Sequence, residues 1–299
     1  MILDPDQIPL AAQLLLQGEL VAFPTETVYG LGAPIFHPET ISKIYTAKGR
    51  PSDNPLIAHV ASLAQVEQIA RDIPPEFYLL AKAFFPGPLT IVLKKHPSVP
   101  SIVSGGLDTI AVRMPSHPVA LALIVAVGQP LVAPSANLSG KPSSTTAEHV
   151  IADFEGKIGA VIEGGETKYG MESTVISLVA KVPRLLRLGA LSPQEIEKVL
   201  GRELQEASRE DKLSSPGTRY RHYAPSARVK LFTSPSELDL YLKTTTVQPR
   251  QILTKVKGAS LYALLRQADV EKKDEILILC DAEMLQDRAL MDRLQKASQ

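Results

Sequence analysis

An α/β layer fold followed by a smaller α/β unit is what this chain predicts, and three observations carry that expectation. Short apolar runs of strand length alternate with amphipathic stretches of helix length through residues 1–201. A polar, turn-rich stretch around Ser214-Ser215-Pro216-Gly217 breaks the alternation, which resumes on a smaller scale from Val229. At 299 residues, with 44% apolar and 21% charged side chains, the chain has the length for a large core and two domains of ordinary composition.

The elements follow in order. Ile8, Ala11, Ala12, Leu15 and Leu16 recur at helical spacing, so 6–18 predicts a helix that Gly18 stops. Leu20-Val21-Ala22-Phe23 predicts a buried strand leading into a polar turn bracketed by glycines. Ile41, Ile44 and Tyr45 mark a helix over 38–48, with Pro38 at its first turn and Gly49 past its end. Further strands are expected at 56–60, 90–93, 110–113, 131–133, 160–163, 174–178 and 184–187, and helices at 63–70, 77–85, 119–127 and 146–154. This interleaving predicts both parallel and antiparallel pairs. Ser192 caps a helix through Leu200. In the second unit, strands at 229–232, 251–254 and 276–280 alternate with helices at 236–242, 260–268 and 286–296, a three-layer arrangement. The expected division is a catalytic domain over 1–201, a linker or lid over 202–228 and an accessory domain over 229–299.

Composition narrows the function classes. No stretch approaches a membrane span, and Met1–Asp6 lacks the basic head and apolar core of a signal peptide, so a cytoplasmic protein without membrane contact is expected. Cys280 is the only cysteine, which excludes an internal disulfide and a cysteine-rich metal site; its neighbours Ile278 and Leu279 predict a buried thiol. The six histidines include no His-x-x-x-His pair, and neither a Gly-x-Ser-x-Gly elbow, a dinucleotide fingerprint nor a Walker phosphate loop occurs. A zero formal net charge argues against tight nonspecific nucleic-acid binding. Locally, however, Lys212, Arg219, Arg221, Arg228 and Lys230 lie in a stretch without acids, either a basic linker or a surface for phosphates.

Two segments concentrate chemistry. Phe23-Pro24-Thr25-Glu26-Thr27-Val28-Tyr29-Gly30-Leu31-Gly32 gathers hydroxyls, a carboxylate and a phenol at a strand's carboxyl end, where open α/β sheets bind ligands. Lys48-Gly49-Arg50-Pro51 places two cations at a helix carboxyl end, which the helix dipole alone would favour. With Asn54 and two stiffening prolines, the same set suits a triphosphate, arginine gripping two oxygens and lysine adding a point charge. Ser135-Ala136-Asn137 forms a second strand-end turn, continued by a loop of small hydroxyl residues in which Thr145 or Thr146 caps the next helix. Arg113 closes an alternating strand on the face of Ala111, either as a solvated cation or as a carboxylate partner. His59 sits in an apolar strand, the usual place of a satisfied core histidine.

Taken together, FPTETVYGLG, KGRPSDNPL (48–56), FPGPLT (85–90), AVRMPSHP (111–118), PSANLSGKPSSTT (134–146) and ESTV (172–175) resemble, in this order, the L-threonylcarbamoyladenylate synthase family in its two-domain form. The resemblance spans about residues 5–200 and implies a strongly twisted open mixed sheet whose helices form a concave cleft. It implies an ATP-dependent nucleotidyltransferase that joins L-threonine and bicarbonate or carbon dioxide to an adenylate, for modification of tRNA next to the anticodon. Lys48 and Arg50 would be catalytic; ATP would be held by Lys48, Arg50, Asn54, Thr109, Asn137, Thr145, Arg187 and His222. L-Threonine would be held by Thr27, His59, Arg113, Ser135 and Ser173. Mg²⁺ would arrive with ATP, with no metal site on the protein. The linker motif Tyr220-Arg221-His222-Tyr223-Ala224-Pro225 resembles the segment that closes over the nucleotide in two-domain members. Threonylcarbamoyl-transfer proteins acting on tRNA would be downstream partners, with a weak direct tRNA contact as a further expectation. An RNA-binding module is the competing reading, and a carbamoyl-transfer domain with another acceptor is a third.

Overall fold

The computed structural model of the chain describes residues 1–208 and 223–299. These fall into two compact units, one of 1–138 with 144–208 and one of 139–143 with 223–299.

The first unit is built on one mixed sheet of twelve strands. They are β1 (Ile2–Leu3), β2 (Val21–Phe23), β3 (Gly30–Pro34), β4 (Ile57–His59), β5 (Ala70–Arg71), β6 (Leu89–Lys95), β7 (Thr109–Arg113), β8 (Leu131–Val132), β9 (Ala160–Ile162), β10 (Thr174–Ser177), β11 (Arg184–Arg187) and β12 (Gln205–Glu206). Their order is β1-β9-β2-β3-β8-β4-β7-β6-β10-β11-β12, with β5 paired to β6. Parallel pairs (β2 with β9, β4 with β7, β6 with β10) and antiparallel ones (β2 with β3, β6 with β7) are interspersed.

One face carries the main core. Ala22, Leu31, Ala33, Ala58, Ile91, Ile110, Val112, Val132 and Ile176 point there, against apolar stripes of the helices α2 (Pro38–Lys48), α3 (Leu63–Ile69), α4 (Pro75–Phe84) and α7 (Ala147–Phe154). The opposite face is divided. Around β9, β2 and β8 it packs on α1 (Ile8–Leu16) and α6 (Pro118–Val127), with Val21, Phe23, Leu131 and Ala133 beneath them. Farther along, Ile57, Val92, Ala111, Val175, Leu186 and Ala207 form a separate, smaller apolar cluster. Strand alternation puts His59 and Arg113 on that second face, beside Ile57 and Ala111.

Most expected elements are present, and the differences have local causes. Gly30-Leu31-Gly32 reads as a turn from its glycines, yet forms β3, paired antiparallel with β2. The expected helix over 286–296 is interrupted: one helix spans Ala282–Gln286 and another Arg288–Ala297, and Asp287 caps the second by accepting from the amides of Ala289 and Leu290. Gly49 adopts the left-handed conformation that ends α2, as its position predicts.

In the second unit, β13 (Arg228–Phe232), β14 (Arg250–Thr254) and β15 (Glu275–Leu279) form a parallel sheet in the order β13-β15-β14. Helices Pro235–Thr244 and Gly258–Val270 connect the strands. Cys280 is buried there, as its neighbours predict. No described helix of either unit is long and apolar enough to cross a membrane.

Beyond β11 the chain passes Gly189, whose backbone lies against Glu172 and Ser173. A Cβ at this position would stand 2.4 Å from the Glu172 carbonyl oxygen and 2.5 Å from that of Ser173. Gly189→Ala is therefore expected to lower stability by about 1–3 kcal/mol, measured by urea unfolding, because main chain must shift to admit the methyl group.

Candidate functional site

The turn after β2 is organised by hydroxyls. Thr25 Oγ1 donates to the Val28 carbonyl at 2.6 Å and accepts from the amides of Thr27 and Val28 at 3.2 and 3.3 Å. Its single proton being placed there, the 2.8 Å contact with Thr27 Oγ1 has Thr27 as donor. Thr27, completely buried, keeps lone pairs for accepting from a ligand.

Through β3 and β8, β4 runs antiparallel to β2, so the carboxyl ends of β2 and β4 do not share an edge of the sheet. His59 and Arg113 end the parallel strands β4 and β7 on the second face, and the turn after β2 reaches Arg113 there. Glu26 Oε1 lies 2.8 Å from Arg113 Nη2, with both side chains about 95% buried. Glu26 Oε2 accepts from the Ser116 amide at 3.1 Å, and Arg113 Nε donates to the Gly87 carbonyl at 3.3 Å. Burial works to raise the Glu26 pKa, but the Arg113 charge and hydrogen bonds from Arg113 and from the Glu26 and Ser116 amides outweigh it and hold the carboxyl below its ordinary value.

His59 stands edge-on to Phe23, ring centroids 6.1 Å apart. Its Nδ1 is 3.2 Å from the Ile57 carbonyl, which can only accept, so Nδ1 carries the proton and Nε2 presents a lone pair. Burial first, and then the Arg113 charge, push this imidazole down to about 3. It is neutral at physiological pH. Ser173, on the same side, is bound by Thr90 and Arg187. Thr90 Oγ1 is 2.7 Å from Ser173 Oγ, while Arg187 Nη2 donates to the Ser173 carbonyl at 3.0 Å and to Ser173 Oγ at 3.2 Å.

Lys48, nearly fully buried at the end of α2, donates from Nζ to the Ser135 carbonyl at 2.6 Å and to that of Asn137. The cation thus fixes the Ser135–Asn137 turn to the helix end. Arg50 Nη2 donates to the Pro55 carbonyl at 3.0 Å, closing its own loop. Asn54 is buried in that loop, and its Oδ1 has no hydrogen-bond partner among the described residues. Thr146, rather than Thr145, caps α7 by accepting from the His149 amide. Thr145 is fully buried, its Oγ1 3.3 Å from His149 Nδ1.

The structure brings Thr27, His59, Arg113 and Ser173 to one region through Glu26, Phe23, Thr90 and Arg187, and joins Lys48 to Ser135 and Asn137. Thr109 stands four residues before Arg113 on the same face of β7, about 13 Å away at the usual strand rise. His222 lies outside the described residues. Glu26 and Thr90 were not singled out from sequence, although both belong to motifs that were. Only their placement opposite Arg113 and Ser173 reveals what they hold.

A buried arginine, a neutral imidazole and buried hydroxyls gather here, and among the described residues of this region no nucleophile is paired to a base. What such a set can do is narrowed by comparison with known proteins. A family model described as "Telomere recombination" matches residues 13–189, and one described as "Threonylcarbamoyl-AMP synthase, C-terminal domain" matches 191–299. Threonylcarbamoyl-AMP synthase of Bacillus subtilis is 42% identical, the match covering 99% of this chain and 93% of that protein. The synthase of Pyrococcus abyssi is 53% identical over 235 residues, 77% of this chain and 69% of that one. A crystal structure of P. abyssi Sua5 complexed with L-threonine superposes with a TM-score of 0.91 at 42% identity, covering 100% of this chain and 97% of that one. The chain belongs to the threonylcarbamoyl-AMP synthase family, in its two-domain form.

Two outcomes test the geometry. His59 has a depressed pKa in the fold, so the unfolded chain binds the extra proton between its ordinary 6.5 and about 3. Its contribution to stability is whole above pH 6.5 and declines as pH falls toward 3. Urea midpoints taken at pH 7.5, 5.5 and 4.5 are expected to fall more steeply for wild type than for His59→Gln. Glu26→Gln leaves Arg113 without its counter-charge and is expected to cost about 3–5 kcal/mol in the same unfolding measurement at pH 7.5.

Proposed function

We propose that the protein forms threonylcarbamoyl-AMP and pyrophosphate from L-threonine, carbon dioxide or bicarbonate, and ATP. The observation that carries this reading is the full-length likeness to a relative crystallised with L-threonine, combined with a buried arginine on the second sheet face. Threonine's deprotonated amine adds to carbon dioxide: an N–C bond forms and the amine proton leaves to solvent. An oxygen of the resulting N-carboxylate attacks the α-phosphorus of ATP. The new O–P bond replaces the bond to the bridging oxygen, and pyrophosphate departs. Nothing in these steps needs a protein nucleophile; they need two substrates held in line and charge balanced as it develops.

In this reading Arg113 receives the threonine carboxylate alongside Glu26. His59 Nε2 and Thr27 Oγ1 accept from the substrate's hydroxyl or amine, and Ser135 and Ser173 complete the pocket. Lys48 and Arg50 stabilise the departing pyrophosphate. Asn54, Thr109, Asn137, Thr145, Arg187 and His222 hold the nucleotide. Among the described residues no group of three or more His, Cys, Asp or Glu could hold a metal ion, and the site's own carboxylate is engaged by Arg113. That donor set fits a Mg²⁺ ion carried on the triphosphate oxygens of ATP, where it would screen the charge of the leaving group.

The product is a labile mixed anhydride, so the proposal includes a transfer protein acting on tRNA that consumes it promptly, with the cytoplasm as the proposed location. The domain division at 201 and 229 and a lid over 202–228 belong to the same proposal. A lid would serve the chemistry by excluding water.

Incubation with ATP, Mg²⁺, bicarbonate and L-threonine is expected to yield pyrophosphate and a threonylcarbamoyl-AMP mass, dependent on both threonine and bicarbonate. ATP binding without that mass would overturn the assignment. Arg113→Ala is expected to weaken threonine binding at least tenfold in calorimetry, the scale of a lost charge-assisted hydrogen bond, while ATP affinity stays within about twofold. Unchanged threonine affinity would remove Arg113 from the pocket.

A further inference from the structure

The second unit contains a segment from the middle of the chain. Residues Ser139–Ser143 group with 223–299, although Leu138 before them and Ser144 after them belong to the first unit. The contacts responsible are specific. Arg266, on the helix Gly258–Val270 and only 8% exposed, donates from Nη2 to the Pro142 carbonyl at 2.7 Å and from Nε to that of Ser143 at 3.4 Å. The Ala224 amide donates to the Gly140 carbonyl at 2.9 Å.

These contacts read main chain. Two successive carbonyls face one guanidinium, whose fork of donors matches such a pair whatever side chains the loop carries. Arg266 is itself set by its surroundings. Tyr262, one helical turn earlier, is fully buried and stacks on Tyr223 with centroids 5.3 Å apart. The Arg293 guanidinium lies 5.2 Å from the other ring of that stack, Tyr223.

Both flanks of the loop belong to the first unit's site. On one side, Lys48 holds the carbonyls of Ser135 and Asn137. On the other, the Tyr29 amide donates to the Ser144 carbonyl at 2.9 Å and the Thr167 amide to that of Thr145 at 3.0 Å. Ser144 Oγ closes the base by donating to the Ala136 carbonyl at 2.5 Å. Ser139–Ser143, between these two held flanks, include the carbonyls that accept from Arg266 and the Ala224 amide.

We propose that Arg266 is a positioning residue for nucleotide binding: by holding the Pro142 and Ser143 carbonyls it fixes the loop that carries Asn137 at one flank and Thr145 at the other. The accessory domain then acts on the reaction through this loop, without itself supplying a group to the substrates. This rests on the assignment of Asn137 and Thr145 to ATP, but the grip on the loop is measurable without any substrate.

The test uses the full chain. Arg266→Met keeps most of the apolar stem and removes every donor, while Arg266→Lys restores one cation able to reach a single carbonyl. In the ligand-free protein, hydrogen exchange in a peptide covering 139–146 is expected to speed up about tenfold in Arg266→Met, the scale of one hydrogen bond from a charged donor. Exchange in Glu275–Leu279 reports on the integrity of the second unit and is expected to stay unchanged. The KM for ATP should rise about tenfold with kcat changed less than twofold, the threonine KM should move little, and Arg266→Lys should fall between.

Unaltered loop exchange in Arg266→Met would overturn the grip. Faster loop exchange with an unchanged KM for ATP would show that the loop is held but that its position does not serve the nucleotide, which would also overturn the proposal. If Glu275–Leu279 loosens in Arg266→Met, Arg266→Lys decides: a folded second unit with ATP KM at the wild-type value would count against the positioning role, and an intermediate KM would support it. Loss of the threonylcarbamoyl product with normal loop exchange in the wild-type protein would instead fault the assigned reaction and leave the grip standing.

Discussion

The buried pair of Glu26 and Arg113 is the contact on which the candidate site depends. It joins a turn leaving β2 to the end of β7, strands separated in the sheet by β3, β8 and β4. Desolvating two charges costs several kcal/mol each, and their attraction offsets this only where geometry and further hydrogen bonds are good. Here both partners have such support, from the Ser116 amide and the Gly87 carbonyl. An apolar pair of equal volume could hold the turn as firmly. What it could not do is keep a guanidinium in a dry region ready for a carboxylate, and that requirement accounts for a charged pair where packing alone would suffice.

The same economy of charge governs Lys48. A buried ammonium needs several acceptors, and the carbonyls of Ser135 and Asn137 provide two. Those carbonyls belong to the turn that begins the 135–146 loop, so Lys48 ties the end of α2 to the start of that loop. Gly189 does comparable work elsewhere, its missing side chain letting the Leu188–Ala190 backbone lie against Glu172 and Ser173. The site is thereby bounded by main chain held by buried cations and by close backbone approach, with the side chains projecting from that frame.

Much of this was legible beforehand. The helices of the first unit carry clear apolar periodicity and end signals, and α2 has the bounds its proline and glycine predict. Strand β3 was not legible, because Gly30-Leu31-Gly32 offers one apolar side chain between two glycines and is a strand only through its pairing with β2 and β8. Motif order marked Arg113 and Ser173, yet nothing local marks Glu26 or Thr90 as their partners. Those pairings span 87 and 83 positions and exist only once the sheet has formed. Arg266 is harder still: it acts on carbonyls, which every residue possesses, so no side-chain pattern in the sequence marks its partner.

Charge explains why His59 has to be neutral. Beside His59, Arg113 contributes one positive charge and Glu26 one negative, so that pair is balanced before any ligand arrives, while Arg187 adds a further cation at Ser173. A protonated His59 would add an uncompensated cation in a dry setting, and burial together with Arg113 prevents it. Zwitterionic threonine would preserve that balance on entering. Capture of carbon dioxide by its amine would then create a new anion that the Glu26–Arg113 pair does not compensate. The cations proposed to receive the triphosphate, Lys48 and Arg50, lie at the end of α2. In the proposed reaction the negative charge therefore appears on the substrate at the step that joins it to the nucleotide, and Arg187, assigned to the nucleotide yet hydrogen-bonded to Ser173 of the threonine site, would be the cation shared by the two substrates.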